Sequence, residues 1–255
     1  MMDKHIIKRN FSRYAQHYDQ YCAIQNLCAV RLAKMASANG VRKILDVGCG
    51  TGNYTKLLRD RYPAARIWAI DISQKMVAIA KEKLKGRTVE LIVADGEMLN
   101  LGEHFDFITS NACFQWFEDL EKTLSKYREL LNEKGGISFS TFGPLTFYEL
   151  NKSLNELLKE SVSLNSCHFL AQEKIKEILT ALFKEIEIER LTYQEKYDSL
   201  RELLKKIKFS GTGGSGVYKK VSWTSRLVDK LEKIYRDKFT EIVVTYEVFF
   251  CEGVR

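Results

Sequence analysis

Proline is nearly absent: only Pro63 and Pro144 occur in the 255 residues. Long stretches are therefore free to form helices and strands without a fixed φ or a missing backbone donor. Histidine is scarce too, with four residues, and no histidine cluster accompanies the six cysteines. Cys22, Cys28, Cys49, Cys113, Cys167 and Cys251 include no Cys-x-x-Cys pair. That spacing argues against a zinc site and against a disulfide framework. The cysteines read instead as small buried hydrophobes in a reducing compartment. No apolar run reaches the ~18 residues of a membrane span. The opening Met1-Met2-Asp3-Lys4-His5 lacks the apolar core of an export signal. The expectation is a cytoplasmic protein that uses neither a membrane nor a metal.

What is present is an ordinary globular composition, 45% apolar and 29% charged, in a chain long enough for one large domain with helical additions. The net charge of +7 is compatible with an acidic partner and equally with a solvated, lysine-rich surface. The lysines are dispersed rather than gathered in a tail, so nucleic acid is not indicated as a partner.

Short apolar runs alternate with segments of helical period. Strand patterns occupy 43–48, 66–71, 89–94, 105–110 and 136–142, the last entered through Gly135-Gly136. Met76, Ile79, Ala80 and Leu84 share one helical face, as do Leu120, Leu124, Tyr127 and Leu131. Such alternation predicts an α/β fold: a Rossmann-like, mostly parallel sheet with helices on both faces. After Pro144 the pattern changes to helices near 145–162, 171–181, 198–208 and 223–238, with a polar loop at 163–168. Strands at 185–193 and 241–250 would add an antiparallel pair at the sheet edge, for seven strands in all. With no repeat or linker, residues 1–255 read as a single domain. Residues 1–40 form an N-terminal helical lid, 41–142 the core, and 143–182 with 198–238 helical additions on the substrate side.

The first strand runs into Asp46, then Gly48-x-Gly50-x-Gly52 and a helix. Glycines allow a sharp turn and close approach of the backbone to a ligand. A dinucleotide loop spaces its glycines Gly-x-Gly-x-x-Gly to seat a pyrophosphate. Here the third glycine comes one residue early and an acid precedes the first, which suits a ligand with an ammonium group and no phosphate. Asp71 ends the second strand, where a carboxylate can accept both ribose hydroxyls or, alternatively, cap the next helix in competition with Ser73. Asp95, followed by Gly96 and Glu97, ends the third strand and could accept the adenine amino hydrogens. Ile72 and Met76 could sandwich the adenine, and Asn111 at the end of the fourth strand could flank the methionine portion. Ligand groups at the carboxyl ends of consecutive strands obey the rule for open α/β sheets.

Over roughly residues 40–142 this set resembles the class I S-adenosylmethionine (SAM) dependent methyltransferases, with Asp46–Gly52, Asp71 and Asp95 on that family's first three motifs. Further segments extend the resemblance over nearly the whole chain. They are Phe11-Ser12-Arg13-Tyr14-Ala15 with Tyr18-Asp19 and Gln25, then Ser110 to Trp116, Cys167-His168-Phe169-Leu170, the glycine-rich 207–216 and Thr245 to Phe250. Together they resemble the malonyl-acyl-carrier-protein O-methyltransferases of biotin synthesis. That family's loop often reads closer to Gly-Thr-Gly-Ala-Asn-Gly, from which Gly214 and Ser215 depart.

The resemblance implies methyl transfer from SAM to the free carboxylate of a malonyl thioester, carried by acyl carrier protein or coenzyme A. An ionised carboxylate needs alignment and desolvation rather than a general base. It must still be gripped, and Tyr14, Tyr18, Gln115, His168 and Lys208 are the candidates. Phe11, Tyr14, Ala15 and Tyr18 share a helical face, readable as core or as a lid over the cofactor. Lys205, Lys206, Lys208, Lys219 and Lys220 flank the glycine-rich loop, either as a docking rim for an acidic carrier or as a solvated face. Two other readings remain: a small-acid carboxyl methyltransferase of the trans-aconitate type, and a SAM-binding protein without catalysis. A nucleic-acid base methyltransferase is disfavoured, because no Asn/Asp-Pro-Pro-aromatic motif exists.

Overall fold

The computed structural model describes residues 3–35, 40–159, 163–210 and 223–255. Its centre is a seven-stranded sheet. The strands are β1 (Lys43–Val47), β2 (Arg66–Asp71), β3 (Val89–Val93), β4 (Phe105–Asn111), β5 (Leu131–Phe142), β6 (Lys184–Tyr197) and β7 (Ile242–Val254). Their spatial order is β3-β2-β1-β4-β5-β7-β6. β1 to β5 run parallel, and β7 lies antiparallel between β5 and β6. The chain thus winds outward from β1 in one direction and from β4 in the other. The crevice above the β1–β4 boundary is the topological switch point, where open α/β sheets bind ligands.

Side chains on the strands alternate between two apolar layers. Ile44, Ile67 and Phe107 enter one core with α3 (Ala23–Met35), α4 (Asn53–Arg61), α7 (Tyr148–Leu158), α9 (Leu200–Phe209) and α10 (Ser225–Phe239). Leu45, Val47, Trp68, Ile70 and Ile108 enter the other with α6 (Leu120–Leu130) and α8 (Gln172–Leu182). The edge strand β6 alternates half-buried Ile186, Ile188, Leu191 and Tyr193 with polar residues such as Glu187, Thr192 and Gln194. Charged and polar side chains on an edge oppose pairing with a further strand.

The expected helices and strands are found with shifted ends. β5 begins at Leu131, so Gly135-Gly136 lies inside it. The register slips between Phe105↔Leu131 and Phe107↔Gly136, and this irregularity absorbs the extra residues. Leu131 is the C-cap of α6 and the first residue of the strand, not part of the helix. α7 is shorter than the 145–162 expected, because Phe147 adopts a positive φ of 62° at its start and Lys159 one of 53° at its end. The N-terminal segment is not one helix: α1 (Lys4–Tyr14) is followed by a tight turn at Ala15–His17, then α2 (Tyr18–Tyr21) and α3. α1 packs beside α5 (Gln74–Lys83), with the hydroxyls of Ser12 and Ser73 2.8 Å apart. Gly211 to Gly216, Lys219 and Lys220 lie outside the described residues.

Candidate functional site

β1 delivers its chain into a turn in which Gly48, Gly50 and Gly52 have φ of 75°, 54° and 85°. Side chains avoid this region, so glycine is the fitting residue. A Cβ on Gly48 would also collide with the Cys113 side chain, and one on Gly52 would press on Leu84 and Ala80 of the α5 end. The Gly48 and Cys49 N–H groups donate to the Ile70 carbonyl at 2.8 and 2.9 Å, which ties the turn to β2.

Beyond this turn opens a cleft of about 750 Å³. Gly48, Gly50, Asp71, Ile72, Met76, Asp95, Gly96, Asn111 and Tyr18 line it, so most of the residues singled out for the cofactor converge there. Phe117, Ala94 and Ile70 add apolar wall, and α1 closes one side with Lys4, Ile7 and Phe11.

Asp71 accepts the Gly50 N–H at 3.0 Å and the Ser73 N–H at 2.8 Å. Ser73, not Asp71, caps α5 by accepting the Met76 N–H at 3.3 Å. Each Asp71 oxygen therefore keeps acceptor capacity toward the cleft. Burial pushes the Asp71 carboxyl up to about 6, against the pull of the two backbone N–H groups.

Asp46 does not line the cleft. The two-residue strand period puts it on the Ile44 face, where it is fully buried and accepts the Thr55 hydroxyl at 2.6 Å. Its second oxygen has no partner among the described residues. Burial raises this carboxyl to about 7, with Thr55 opposing and nearby Asp71 adding to the rise. Gly52 likewise sits behind the turn, on α5. Glu97 is also outside the cleft: its carboxylate accepts the N–H groups of Glu118 and Asp119 at 3.1 and 2.9 Å, at the start of α6. A buried acid at a helix N-terminus satisfies orphan donors there.

Asp95 accepts the Glu97 N–H at 3.0 Å and an ammonium hydrogen of Lys4 at 2.7 Å. Lys4 also pairs with Glu97 at 2.6 Å. Sequence reasoning missed Lys4, although its spacing from Ile7 and Phe11 puts all three on one face. Asn111 is held by Ser140, whose hydroxyl donates to it at 2.8 Å, while its amide donates to the Gln25 carbonyl at 3.0 Å.

The residues proposed to grip a substrate divide between places. Tyr18 lines the cleft edge-on to Phe11, at 6.3 Å between centroids, and burial drives its hydroxyl well above the usual tyrosine range. Tyr14 does not reach the cleft; it packs edge-on against Phe209 at 5.4 Å, because α1 ends there and the chain turns away. His17 and Tyr21 meet the same ring at 5.1 and 5.2 Å. Gln115 and His168 line a second cavity of about 1280 Å³, bounded also by Thr141, Phe169, Lys174 and Ile178. Gln115 is buried and donates to the Ala112 carbonyl at 2.7 Å. Phe117 borders both spaces, and Trp116, in the cleft wall, meets Phe169 of the second at 5.5 Å. Among the described residues the buried Trp116 indole N–H has no partner. Lys208 is exposed at the end of α9. Lys206 is turned inward, ion-paired to Glu195 and lying over the Tyr197 and Tyr246 rings, so it is no rim residue.

A polar latch, also missed in the sequence, joins α2 to the glycine turn. Asp19 accepts the Thr51 hydroxyl at 2.6 Å, the Asn53 amide at 3.2 Å and the Lys83 ammonium at 2.6 Å. Among the described residues no group of three His, Cys, Asp or Glu could hold a metal ion. No helix among them is long and apolar enough to cross a membrane.

Comparison with known proteins agrees with this geometry. Residues 44–135 match a family model described as a methyltransferase domain. Among solved structures, the YcgJ protein of Bacillus subtilis superposes with a TM-score of 0.64 at 16% identity, covering 90% of this chain and 98% of that one. Phosphoethanolamine N-methyltransferase 2 of Haemonchus contortus, in complex with SAM, gives 0.58 at 19% identity over 94% of this chain and 56% of that one. At those identities the likeness concerns the fold. Sequence likeness goes further. A malonyl-[acyl-carrier protein] O-methyltransferase of Acetivibrio thermocellus is 36% identical over 98% of this chain and 93% of its own length. One of two such proteins from Ilyobacter polytropus is 37% identical over 94% and 89%. With that identity over nearly the whole of both chains, this protein belongs to the malonyl-[acyl-carrier protein] O-methyltransferase family.

Proposed function

We propose that this protein transfers the methyl group of SAM to the free carboxylate of a malonyl thioester on acyl carrier protein, giving the methyl ester that primes biotin synthesis. The observation that carries the reading is the full-length likeness to proteins of that name, joined to a switch-point cleft that collects Asp71, Asp95 and the glycine turn. Malonyl-coenzyme A is the second acceptor proposed, with neither nucleic acid nor membrane taking part. A cytoplasmic setting accords with six free cysteines. The whole chain would act as one methyltransferase domain, with 1–40 as lid, 41–142 holding the cofactor, and 143–182 and 198–238 on the substrate side.

The bound cofactor supplies a methyl group activated on a sulfonium. The chain's own residues would hold it as follows. Asp71 accepts the ribose hydroxyls, Ile72, Met76 and Phe117 enclose the adenine, and Asp95 accepts its amino hydrogens with Gly96 beside it. The turn at Gly48 and Gly50 passes the methionine portion with no side chain in the way, next to Asn111. The unpartnered oxygen of buried Asp46 is a free acceptor behind the turn, and Glu97 supports the site indirectly, by fixing the start of α6 and holding Lys4.

A malonyl carboxylate oxygen forms the new bond to the methyl carbon as the carbon–sulfur bond breaks, and sulfur leaves as the neutral thioether. No proton moves, so Tyr18 and the Trp116 indole N–H serve to orient the carboxylate in a water-poor wall. Gln115 and His168, in the adjoining cavity, are proposed to guide the thioester arm. Tyr14 contributes by packing the lid on Phe209.

The test is methyl transfer from labelled SAM to malonyl-carrier protein, malonyl-pantetheine, malonyl-coenzyme A and trans-aconitate. The reading requires ester formation on the malonyl thioesters. Turnover of aconitate alone, or SAM binding without transfer to any of the four, refutes it.

A further inference from the structure

The helix that closes the cleft carries an unneutralised positive face. α1 reads Lys-His-Ile-Ile-Lys-Arg-Asn-Phe-Ser-Arg-Tyr and contains no acidic residue. Lys4, Ile7 and Phe11 look into the cleft. On the opposite side His5, Arg9 and Arg13 follow one another at i, i+4 and i+8, Lys8 lies on the flank one turn beyond Lys4, and all four are exposed. Several other surface cations are met locally, as Arg201 by Asp229, Arg236 by Glu232 and Lys238 by Glu156, whereas exposed lysines left without an ion pair, such as Lys56, Lys85 and Lys205, lie away from the cleft-lining helix. Among the described residues Lys8, Arg9 and Arg13 have no such partner. Clustered like charges on one helix repel one another and add nothing to packing, so the face needs another explanation.

We propose that the outer face of α1 is the docking surface for the acidic carrier protein that presents the malonyl thioester. The proposal rests on the functional reading above. Acyl carrier proteins are acidic and hold the thioester on a phosphate-linked arm, which complements Lys8, Arg9 and Arg13. A helix is about 10–12 Å across, so a partner seated on this face stands within one helix diameter of the cleft that α1 lines. The α9 rim is the weaker surface: Lys206 is buried against Glu195, and Arg201 is already paired.

The experiment compares two acceptors that share the malonyl thioester and differ in the carrier: malonyl-carrier protein and malonyl-pantetheine. In the Arg9→Glu/Arg13→Glu protein, kcat/KM for the carrier-bound substrate should fall about tenfold or more at low salt, mostly through KM. Turnover of malonyl-pantetheine should stay within about twofold, since steering acts on the charged partner and not on the chemistry. The unaltered protein gives a second readout that does not depend on a variant folding. Its carrier turnover should decline from about 0.02 to about 0.5 M salt, while its pantetheine turnover stays flat. Equal loss on both substrates, no loss on either, or a carrier rate insensitive to salt overturns the docking face. Wild-type protein that methylates neither thioester overturns the functional reading beneath it.

Discussion

Acidification should weaken cofactor binding through Asp71. Its carboxyl titrates at about 6 in the unliganded protein, because burial outweighs the two backbone N–H groups that it accepts. Ribose hydroxyls donate best to an ionised carboxylate. At pH 8 Asp71 is almost wholly ionised. At pH 5, one unit below its midpoint, about ten molecules in eleven carry the proton, and binding must first remove it. The apparent Kd for SAM should therefore rise about tenfold from pH 8 to pH 5, or ~1.4 kcal/mol. Calorimetric titration at half-unit steps measures this. Asp46, raised to about 7, titrates in the same window, so the comparison is with Asp71→Asn, which should bind weakly and lose the step near pH 6. The stability of the unliganded protein carries the opposite sign. Both carboxyls are raised above their unfolded values, so their contribution is fully present below about pH 4 and is lost as pH rises through 6 and 7. The unliganded protein should thus melt at a higher temperature at pH 5 than at pH 8, while added SAM should raise Tm more at pH 8. A Kd that is flat from pH 8 to 5, or an unchanged step in Asp71→Asn, refutes the reasoning.

Gly48→Ala should abolish measurable SAM binding, since the new Cβ meets Cys113 at a φ of 75°. Adding Cys113→Gly should restore part of it, leaving a backbone strain of about 1–2 kcal/mol, and no restoration would mean that the collision is not the cause. Glu97→Ala leaves two N–H groups at the start of α6 without their acceptor and takes away one of the two carboxylates that Lys4 pairs with, Asp95 remaining. A loss of about 1–3 kcal/mol, visible as a fall of several degrees in Tm, is expected, and an unchanged melt would contradict the capping role. Asp19→Ala removes the acceptor shared by Thr51, Asn53 and Lys83, leaving Asn53 tied to the N-terminal segment through Asn26 and Cys22. KM for SAM should rise about two- to fivefold with kcat little changed, as befits a half-exposed polar cluster. A fall in kcat at constant KM would instead place Asp19 nearer to the reacting atoms.

The sequence by itself determined the α/β alternation, the glycine turn and the strand-end acids Asp71 and Asp95, because these follow from local periodicity and from backbone conformations that few residues tolerate. It also carried the family resemblance from the Phe11–Asp19 segment to the Thr245–Phe250 strand. Only the tertiary structure decided which acids line the cleft. Asp46 and Glu97 belong to the same short motifs as their neighbours, yet the strand period turns Asp46 under the sheet, and the orphan amides of α6 claim Glu97. Helical spacing placed Tyr14 and Tyr18 on one face, but the turn at Ala15–His17 breaks that face and sends Tyr14 to Phe209. Lys206 was one lysine among several until burial against Glu195 removed it from the rim. Such assignments depend on partners distant in sequence: Lys4 on Asp95, Asp19 on Thr51 and Lys83, Trp116 on Phe169. Local pattern says which residues can do the chemistry, whereas packing at the switch point decides which of them meet.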